Sequence, residues 1–552
     1  MSTKVITLQC TNCGTQTPMH GFTGACPKCG EVLVEARYDL PKDAIAWMQE
    51  IKNRRPHLWR YREVLPVIDT SNIVSLGEGG TPLIKSEALG ASLGLKHLYI
   101  KDERQGPTGS FKDRQATVAI TALKEMGVNE LVVASTGNVA IAYAAYCARV
   151  GIKLWAFFPS LTPSDKMREV AIYGAEVIKT TGNYDQTKQL AAQFAAARGI
   201  FLDRGIKSVA SIEAMKTMAY EIGEQLAREY PGELPMKAPD WFLQGVSGGM
   251  GPIGVAKGFR EMQALGLTNK VPSFGMIQSS GCAPMVEAFQ RGQRVAMPVE
   301  HPQMVIVALA TGAPGRAYEL LYDYVQENGG DFVSASDEEA FAAIRTLARS
   351  DGISVEPATG VTFAGLFKMV RQGTIKPDDI VVVNCSGHTL PVETIILGEQ
   401  WQKQVDLAGA SSSPSLPAGD LAHVIDAVGV RVRRVVVIED NVDSARLMHR
   451  ILSTRDDCEI RLAHNGAAGL DLVRAWKPDL VITDLMMPDV DGFEVIREMK
   501  SDLSLAGIPI VVVTAKELTV RERSELDKST AALLQKGGFL DDEFVEKITK
   551  WL

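Results

Sequence analysis

Lys112 stands in the run Pro107-Thr108-Gly109-Ser110-Phe111-Lys112-Asp113-Arg114, a Gly/Ser-rich turn shortly after the apolar, strand-like stretch Leu98-Tyr99-Ile100. An amine held there can attack an aldehyde carbon and carry a carbonyl cofactor as a Schiff base, since Gly and Ser let the backbone come close to it. Taken alone, Ser-Phe-Lys describes an ordinary surface lysine equally well. Two further groups of residues bear chemistry. Cys10-x-x-Cys13 and Cys26-x-x-Cys29, each followed by a glycine (Gly14, Gly30) and separated by twelve residues, offer four thiolates with tetrahedral reach. Such a set suits a structural zinc ion with no open position for substrate, and a redox or disulfide pair is the alternative. Near the other end, Glu439-Asp440 and Asp484 lie at the ends of apolar runs, where carboxylates can share one divalent cation.

These residues need elements to hold them. The chain has 552 residues, 46% apolar and 22% charged, which suits several soluble domains with ample core. A net charge of −8 excludes a nucleic-acid-binding surface over the whole molecule. The most apolar region, around Ala140 to Pro159, is interrupted by Arg149 and Lys153, so no membrane span is expected. Met-Ser-Thr-Lys-Val runs into the cysteine pair with no signal-peptide core, which points to the cytoplasm. The remaining cysteines, Cys147, Cys282, Cys385 and Cys458, are scattered and read as buried thiols.

Residues 1–45 form the cysteine module and its following segment. Over 46–405, apolar runs (Leu131-Val132-Val133, Leu154-Trp155-Ala156-Phe157-Phe158, Trp241-Phe242-Leu243, Ile380-Val381-Val382-Val383) alternate with helical patterns, predicting mainly parallel sheets covered by helices. Residues 406–431 include Ala408-Gly409-Ala410-Ser411-Ser412-Ser413-Pro414, a linker composition. Residues 432–552 repeat the α/β pattern with Val435-Val436-Val437-Ile438, Leu480-Val481-Ile482 and Ile508-Pro509-Ile510-Val511-Val512-Val513, as expected of one doubly wound domain.

Further segments accompany Lys112: Leu76-Gly77-Glu78-Gly79-Gly80-Thr81-Pro82-Leu83, Ser135-Thr136-Gly137-Asn138, Gly182-Asn183-Tyr184-Asp185, Ser211-Ile212-Glu213-x-x-Lys216-Thr217, Gly245-Val246-Ser247-Gly248-Gly249, Val355-Glu356-Pro357-Ala358-Thr359-Gly360 and Ser386-Gly387-His388. In this order they resemble the fold-type II (tryptophan synthase beta-like) pyridoxal phosphate (PLP) enzymes, and the threonine synthase family in particular, over roughly residues 1–400. Some members of that family carry an N-terminal four-cysteine ribbon. The resemblance implies that Lys112 holds the cofactor and then serves as base at the substrate Cα. It implies that Asn138 bonds the cofactor's phenolic oxygen and that Ser386 faces its pyridine nitrogen. Gly245, Val246, Ser247, Gly248 and Gly249 would wrap its phosphate at a helix N-terminus, where the dipole favours an anion. The substrate of such enzymes is O-phospho-L-homoserine, which is converted with water to threonine and phosphate. Lys166, Arg114, Ser135 and Thr136 are candidates for the substrate's phosphate. Arg114 could instead pair with a structural carboxylate, and Lys166 could be a surface charge. His388 reads as structural.

The chain also departs from that family. Val139-Ala140-Ile141 stands where small hydroxyl residues are usual, Gln115 where glycine is usual, and Asn384-Cys385-Ser386-Gly387-His388-Thr389 where Thr-Gly-His-Gly is commoner. A related elimination or replacement enzyme, cysteate-synthase-like or a dehydratase, therefore competes. So does a non-catalytic amino-acid-sensing phosphorelay module.

From residue 433 the run Asp484-Leu485-Met486-Met487-Pro488-Asp489-Val490-Asp491-Gly492, with Thr514 and Lys536 after later strands, resembles a response-regulator receiver of flavodoxin-like fold. The resemblance implies Mg²⁺ held by Glu439, Asp440, Asp484 and the Met486 backbone. Asp484 would be phosphorylated by a sensor histidine kinase or phosphotransfer protein, with Thr514 and Lys536 binding the phosphoryl oxygens. Two departures stand out: Gly537-Gly538 follows Lys536 in place of proline, and Leu533 occupies a position where an aromatic is common. The expectation for the whole chain is a threonine-synthase-like homodimer regulated through Asp484.

Overall fold

The computed structural model describes residues 6–19, 25–160, 162–181, 184–203, 209–232, 234–388, 433–452, 458–502 and 504–514, with short stretches beyond them up to 535. The 406–431 linker and Lys536 lie outside the described residues. The chain divides into two compact units, Met1–Glu399 and Gln400–Leu552. Among the described residues no helix is long and apolar enough to cross a membrane.

The first unit opens with a small antiparallel sheet of β1 (Ile6–Cys10), β2 (Gln16–Pro18) and β3 (Val34–Tyr38), ordered β2-β1-β3. Gly14 and Gly30 have φ of 70° and 75°, the left-handed conformation that lets each Cys-x-x-Cys knuckle reverse. The buried Glu213 fixes β3 to the body of the unit. Its Oε1 accepts from the Ala36 N–H at 3.0 Å, and its Oε2 accepts from the Tyr38 hydroxyl at 2.9 Å. Burial pushes Glu213 upward, but Lys216 and Lys257 hold it down at about 2. A satisfied buried charge of this kind is costly to break from one side.

Two mainly parallel sheets follow. The larger is ordered β12-β11-β10-β13-β5-β4, from β4 (Leu83–Lys85), β5 (His97–Asp102), β10 (Trp241–Gly245), β11 (Ser273–Ser279), β12 (Gly330–Ala335) and β13 (Ile380–Cys385). Among the described strands only β4 pairs antiparallel in it. The smaller is ordered β8-β7-β6-β9, from β6 (Glu130–Ala134), β7 (Lys153–Phe158), β8 (Glu176–Lys179) and β9 (Phe201–Leu202). Strands such as β13, buried along its whole length, read as continuous apolar runs because helices cover both faces.

In the second unit five parallel strands run β15-β14-β16-β17-β18: β14 (Arg433–Ile438), β15 (Cys458–Ala463), β16 (Leu480–Thr483), β17 (Ile510–Thr514) and β18 (Ala532–Gln535). This is the doubly wound order in which the direction of winding reverses beside β14 and β16. Separate apolar clusters fill the two faces, one around Val436, Val481 and Val512, the other around Val435, Ile482 and Val511. β17 starts at Ile510 rather than Ile508, since Pro509 has no N–H to give the ladder.

Candidate active site and candidate phosphoacceptor site

Lys112 opens the helix Lys112–Glu125. The turn before it is closed by Asp113, whose carboxylate accepts from the Thr108 N–H (2.9 Å) and hydroxyl (2.7 Å). Burial raises Asp113 to about 7 despite these bonds. Two backbone hydrogen bonds staple the turn to the loop after β13: Phe111 N–H to Ser386 O (2.9 Å) and His388 N–H to Gly109 O (3.0 Å). Lys112, Asn138, Gly245–Gly249, Lys166, Thr136, Val139, Glu356 and Ser386 thus line one cavity, drawn from strand ends far apart in sequence. Burial lowers the Lys112 amine to about 8, with Glu356 opposing. A neutral, nucleophilic amine is therefore reached close to physiological pH.

The 245–249 loop joins β10 to the 15-residue helix Met250–Ala264. Gly249 has φ of 82°, and a Cβ there would lie 2.8 Å from Leu321 Cδ1. A Cβ on Gly245 would lie 2.7 Å from the Ala358 carbonyl oxygen. Glycine at these two positions lets the loop pack this closely on its neighbours, and the first N–H groups of the helix are unpaired by helix geometry. The donor set therefore fits a phosphate. Val246 is an exception: its N–H is spent on Ile277 O at 2.8 Å, so it lines the cavity without donating.

Lys166 and Asn138 meet on the facing wall. Lys166 Nζ donates to Asn138 Oδ1 at 2.7 Å, and Asn138 Nδ2 donates to Glu356 Oε2 at 2.7 Å. Burial pushes the Lys166 ammonium down, against Glu356 and Glu169. Ser386 Oγ donates to Glu356 Oε1 at 2.8 Å and lies 2.9 Å from Thr359 Oγ1. Gly387 leaves room for this, because a Cβ on it would lie 2.8 Å from the Glu356 carboxyl carbon.

Two of the residues considered for a substrate phosphate lie elsewhere. Arg114 is turned into the core. Its guanidinium bonds Glu103 (2.7 Å), Glu221 (2.7 Å), Thr217 (2.9 Å) and Thr81 (3.1 Å), which leaves no donor for a ligand. Helix rotation explains this, since positions two apart face different sides. Ser135 also does not line the cavity; its Oγ accepts from the Gly137 and Ala140 N–H groups at 3.0 and 3.1 Å. Glu356 has a place in the site that sequence reasoning did not assign. Its segment stood out, but its partners Asn138 and Ser386 lie 218 and 30 residues away.

The four cysteines bring their Sγ atoms within 4.8 Å of one another. Cys10 to Cys29 is 3.6 Å and Cys13 to Cys26 is 3.5 Å. Four thiolates at about 2.3 Å from a zinc ion would stand about 3.8 Å apart, so the set fits. Leu33 of this module packs with Ile212, Met250 and Ala317, and so supports the first residue of the helix behind the phosphate loop.

In the second unit, Glu439, Asp440 and Asp484 bring carboxylate oxygens within 4.8 Å of one another at the ends of β14 and β16. Asp484 is buried, and its Oδ1 accepts from the N–H of Leu485 (2.6 Å) and Met486 (3.2 Å). Thr514 ends the neighbouring β17. The Asp491-Gly492 pair has a local reason. Asp491 caps the helix Gly492–Ser501 through the Glu494 N–H (2.8 Å), and a Cβ on Gly492 would collide with the Asp484 carbonyl.

Residues 74–387 match the model of the pyridoxal-phosphate-dependent enzyme family, and residues 435–546 match the response regulator receiver domain. The threonine synthase of Methanosarcina acetivorans is 36% identical over 384 residues, covering 69% of this chain and 91% of that protein. That of Methanocaldococcus jannaschii is 37% identical over 385 residues, covering 69% and 92%. The chain belongs to the threonine synthase family of PLP-dependent enzymes, fused to a receiver domain. Diaminopropionate ammonia lyase from Escherichia coli shares the fold at a TM-score of 0.50 and 18% identity, covering 59% of this chain and 90% of that one. The threonine-synthase-like unit thus supplies the lysine, the glycine floor and the Glu356 bridge, and the receiver unit supplies the acids.

Proposed function

We propose that this enzyme converts O-phospho-L-homoserine and water to threonine and phosphate, and that phosphorylation of Asp484 regulates it. The observation that carries the reading is a second buried cation, Lys166, on the cavity that holds Lys112. One anion site is the glycine loop; Lys166, with the Thr136 hydroxyl, offers another. PLP, when bound, supplies an electron sink for negative charge developing at the substrate Cα.

Lys112 would hold the cofactor's aldehyde carbon and afterwards take the proton from Cα, its lowered basicity suiting both tasks. Gly245, Ser247, Gly248 and Gly249 would hold the cofactor phosphate at the helix N-terminus, and Asn138 and Ser386 would hold the ring edge. Lys166 would draw the substrate phosphate away from Lys112 and stabilise its charge as it leaves from Cγ.

The test is to supply PLP-loaded protein with O-phospho-L-homoserine and measure phosphate and threonine. Equal amounts of both, formed at least about a hundredfold more slowly by Lys112→Ala, support the reading. A second reading rests on Val139, an apolar side chain on the cavity wall. An elimination or replacement on another amino acid, cysteate-synthase-like or dehydratase-like, would give a loaded enzyme that releases no threonine from this substrate.

Cys10, Cys13, Cys26 and Cys29 hold structural Zn²⁺. Glu439, Asp440, Asp484 and the Met486 carbonyl hold Mg²⁺. A histidine kinase or phosphotransfer protein supplies the phosphoryl group in the cytoplasm, and the enzyme is a homodimer. Turnover of wild type and Asp484→Asn, with and without a small phosphodonor, tests the regulation; equal wild-type rates in both conditions would sink it.

A further inference from the structure

The helix Met250–Ala264 has few donors to spare at its start. Pro252 has no N–H, and the Ile253 N–H is spent on Gly249 O at 3.3 Å. Of the first four backbone nitrogens, those of Met250 and Gly251 keep an N–H for an anion. Whatever locates the Met250 side chain therefore locates a phosphate donor. That side chain is 4% exposed and packs with Ile212, Ala317 and Leu33. Ile212 and Ala317 belong to helices of the body, Val209–Glu229 and Arg316–Asn328. Leu33 belongs to the cysteine module.

The module reaches this helix twice. Two turns on from Met250, on the same face, Lys257 Nζ donates to Ala36 O of β3 and to Glu213 Oε1 (2.6 Å). Here a neighbouring helix also fixes the backbone. A Cβ on Gly254 would lie 2.6 Å from Ile212 O, and one on Gly258 would lie 2.4 Å from Lys216 O. The first turn rests instead on side chains, Leu33 among them. Leu33 is in turn held by the cysteine end of the module. Its carbonyl oxygen accepts from the Thr11 N–H (3.2 Å) and hydroxyl (2.7 Å), and Thr11 directly follows Cys10. Cys29 shortly precedes Leu33 in the chain. One ion bound by Cys10 and Cys29 would fix both segments that place Leu33.

We propose that the cysteine module sets the affinity of the enzyme for the cofactor phosphate, with Leu33 as the positioning residue that carries occupation of the four-cysteine site to the Met250 N–H. This rests on the proposals that PLP occupies the cavity and that the cysteines hold zinc. A coupling between two binding sites is reciprocal: zinc tightens PLP by the same factor by which PLP tightens zinc.

The experiment uses the full-length protein. PLP, and pyridoxal as the same aldehyde without the phosphate, are titrated into cofactor-free protein and followed by the absorbance of the bound cofactor. Leu33→Ala keeps all four cysteines. It is expected to weaken PLP about 5- to 150-fold while pyridoxal affinity and zinc content stay unchanged. Arg37→Ala, at an exposed position of the same module, is expected to change none of the three. Zinc is then competed from wild type with a chromophoric chelator, with and without saturating PLP, and should be held about 5- to 150-fold more tightly with it. Equal zinc affinity in the two conditions overturns the inference; that measurement needs no variant and decides even if Leu33→Ala fails to fold. Unchanged PLP affinity in a folded Leu33→Ala overturns it too, as does an equal loss of PLP and pyridoxal, the mark of general loosening. A wild type that takes up no cofactor overturns the cofactor reading itself, and one that takes up no zinc overturns the metal reading.

Discussion

The first turn of the helix Lys112–Glu125 carries two cations that meet opposite environments. Arg114, turned into the core, is saturated: two carboxylates and two hydroxyls use its guanidinium, and Lys101 shares Glu221 at 2.7 Å. Lys112, turned into the cavity, makes no hydrogen bond from its Nζ to any other described residue and lies over the Phe111 ring, 4.1 Å from the centroid. Burial depresses the Lys112 amine, whereas Glu103 and Glu221 outweigh burial and hold Arg114 firmly charged. A buried cation with every donor paired serves the fold. One left short of partners is available for chemistry.

The contrast can be broken in several ways. Lys112→Ala should reduce turnover by about a hundredfold to ten-thousandfold with little change in the unfolding midpoint; a large fall in thermal stability would blur the two classes. Arg114→Ala should do the reverse, costing about 3–5 kcal/mol of stability because it strands Glu103 and Glu221, as denaturant unfolding would read. If Arg114→Ala instead raised the KM for substrate at unchanged stability, its assignment to the core would fail. A third test sharpens the Lys112 side. Its neutral form is what attacks an aldehyde, and its pKa lies near 8. The rate of PLP uptake by apoprotein should therefore rise about tenfold per pH unit below 8 and level off above it. A profile still climbing steeply past pH 10 would mean an unshifted amine. The smallest effect is expected from Ser135→Ala, which removes an acceptor from the Gly137 and Ala140 N–H groups. That should cost roughly 1–2 kcal/mol and leave KM unchanged if Ser135 is not a substrate contact.

The same contrast explains what could be read from the sequence. Strands buried on both faces, such as β6, β13 and β17, announce themselves as apolar runs. β11 and β12 do not, because Ser273, Gly275 and Gly330 dilute theirs, and the two residues of β9 carry no period at all. Lys112, Asn138, the glycine loop and Ser386 were legible because local turn chemistry marks each of them. In the receiver unit, Asp484 and Gly492 were legible for the same reason. The roles of Arg114 and Glu356 were not, because they depend on partners more than 100 residues away, Glu221 in one case and Asn138 in the other. Residue type announces a charge, and only the folded pairing says whether that charge is spent.

The attachment of β3 sets an order of events during synthesis. Ala36 leaves the ribosome 177 residues before Glu213, the carboxylate that receives it. At roughly 5–20 residues per second, the cysteine module waits about 10–35 s for its docking partner to be translated. During that interval Ile6, Leu8 and Leu33, buried in the finished unit, have only their own small sheet to shelter them. A metal clip that closes the module early would give this nascent segment a shape of its own, and the body of the enzyme would then assemble against a piece already made.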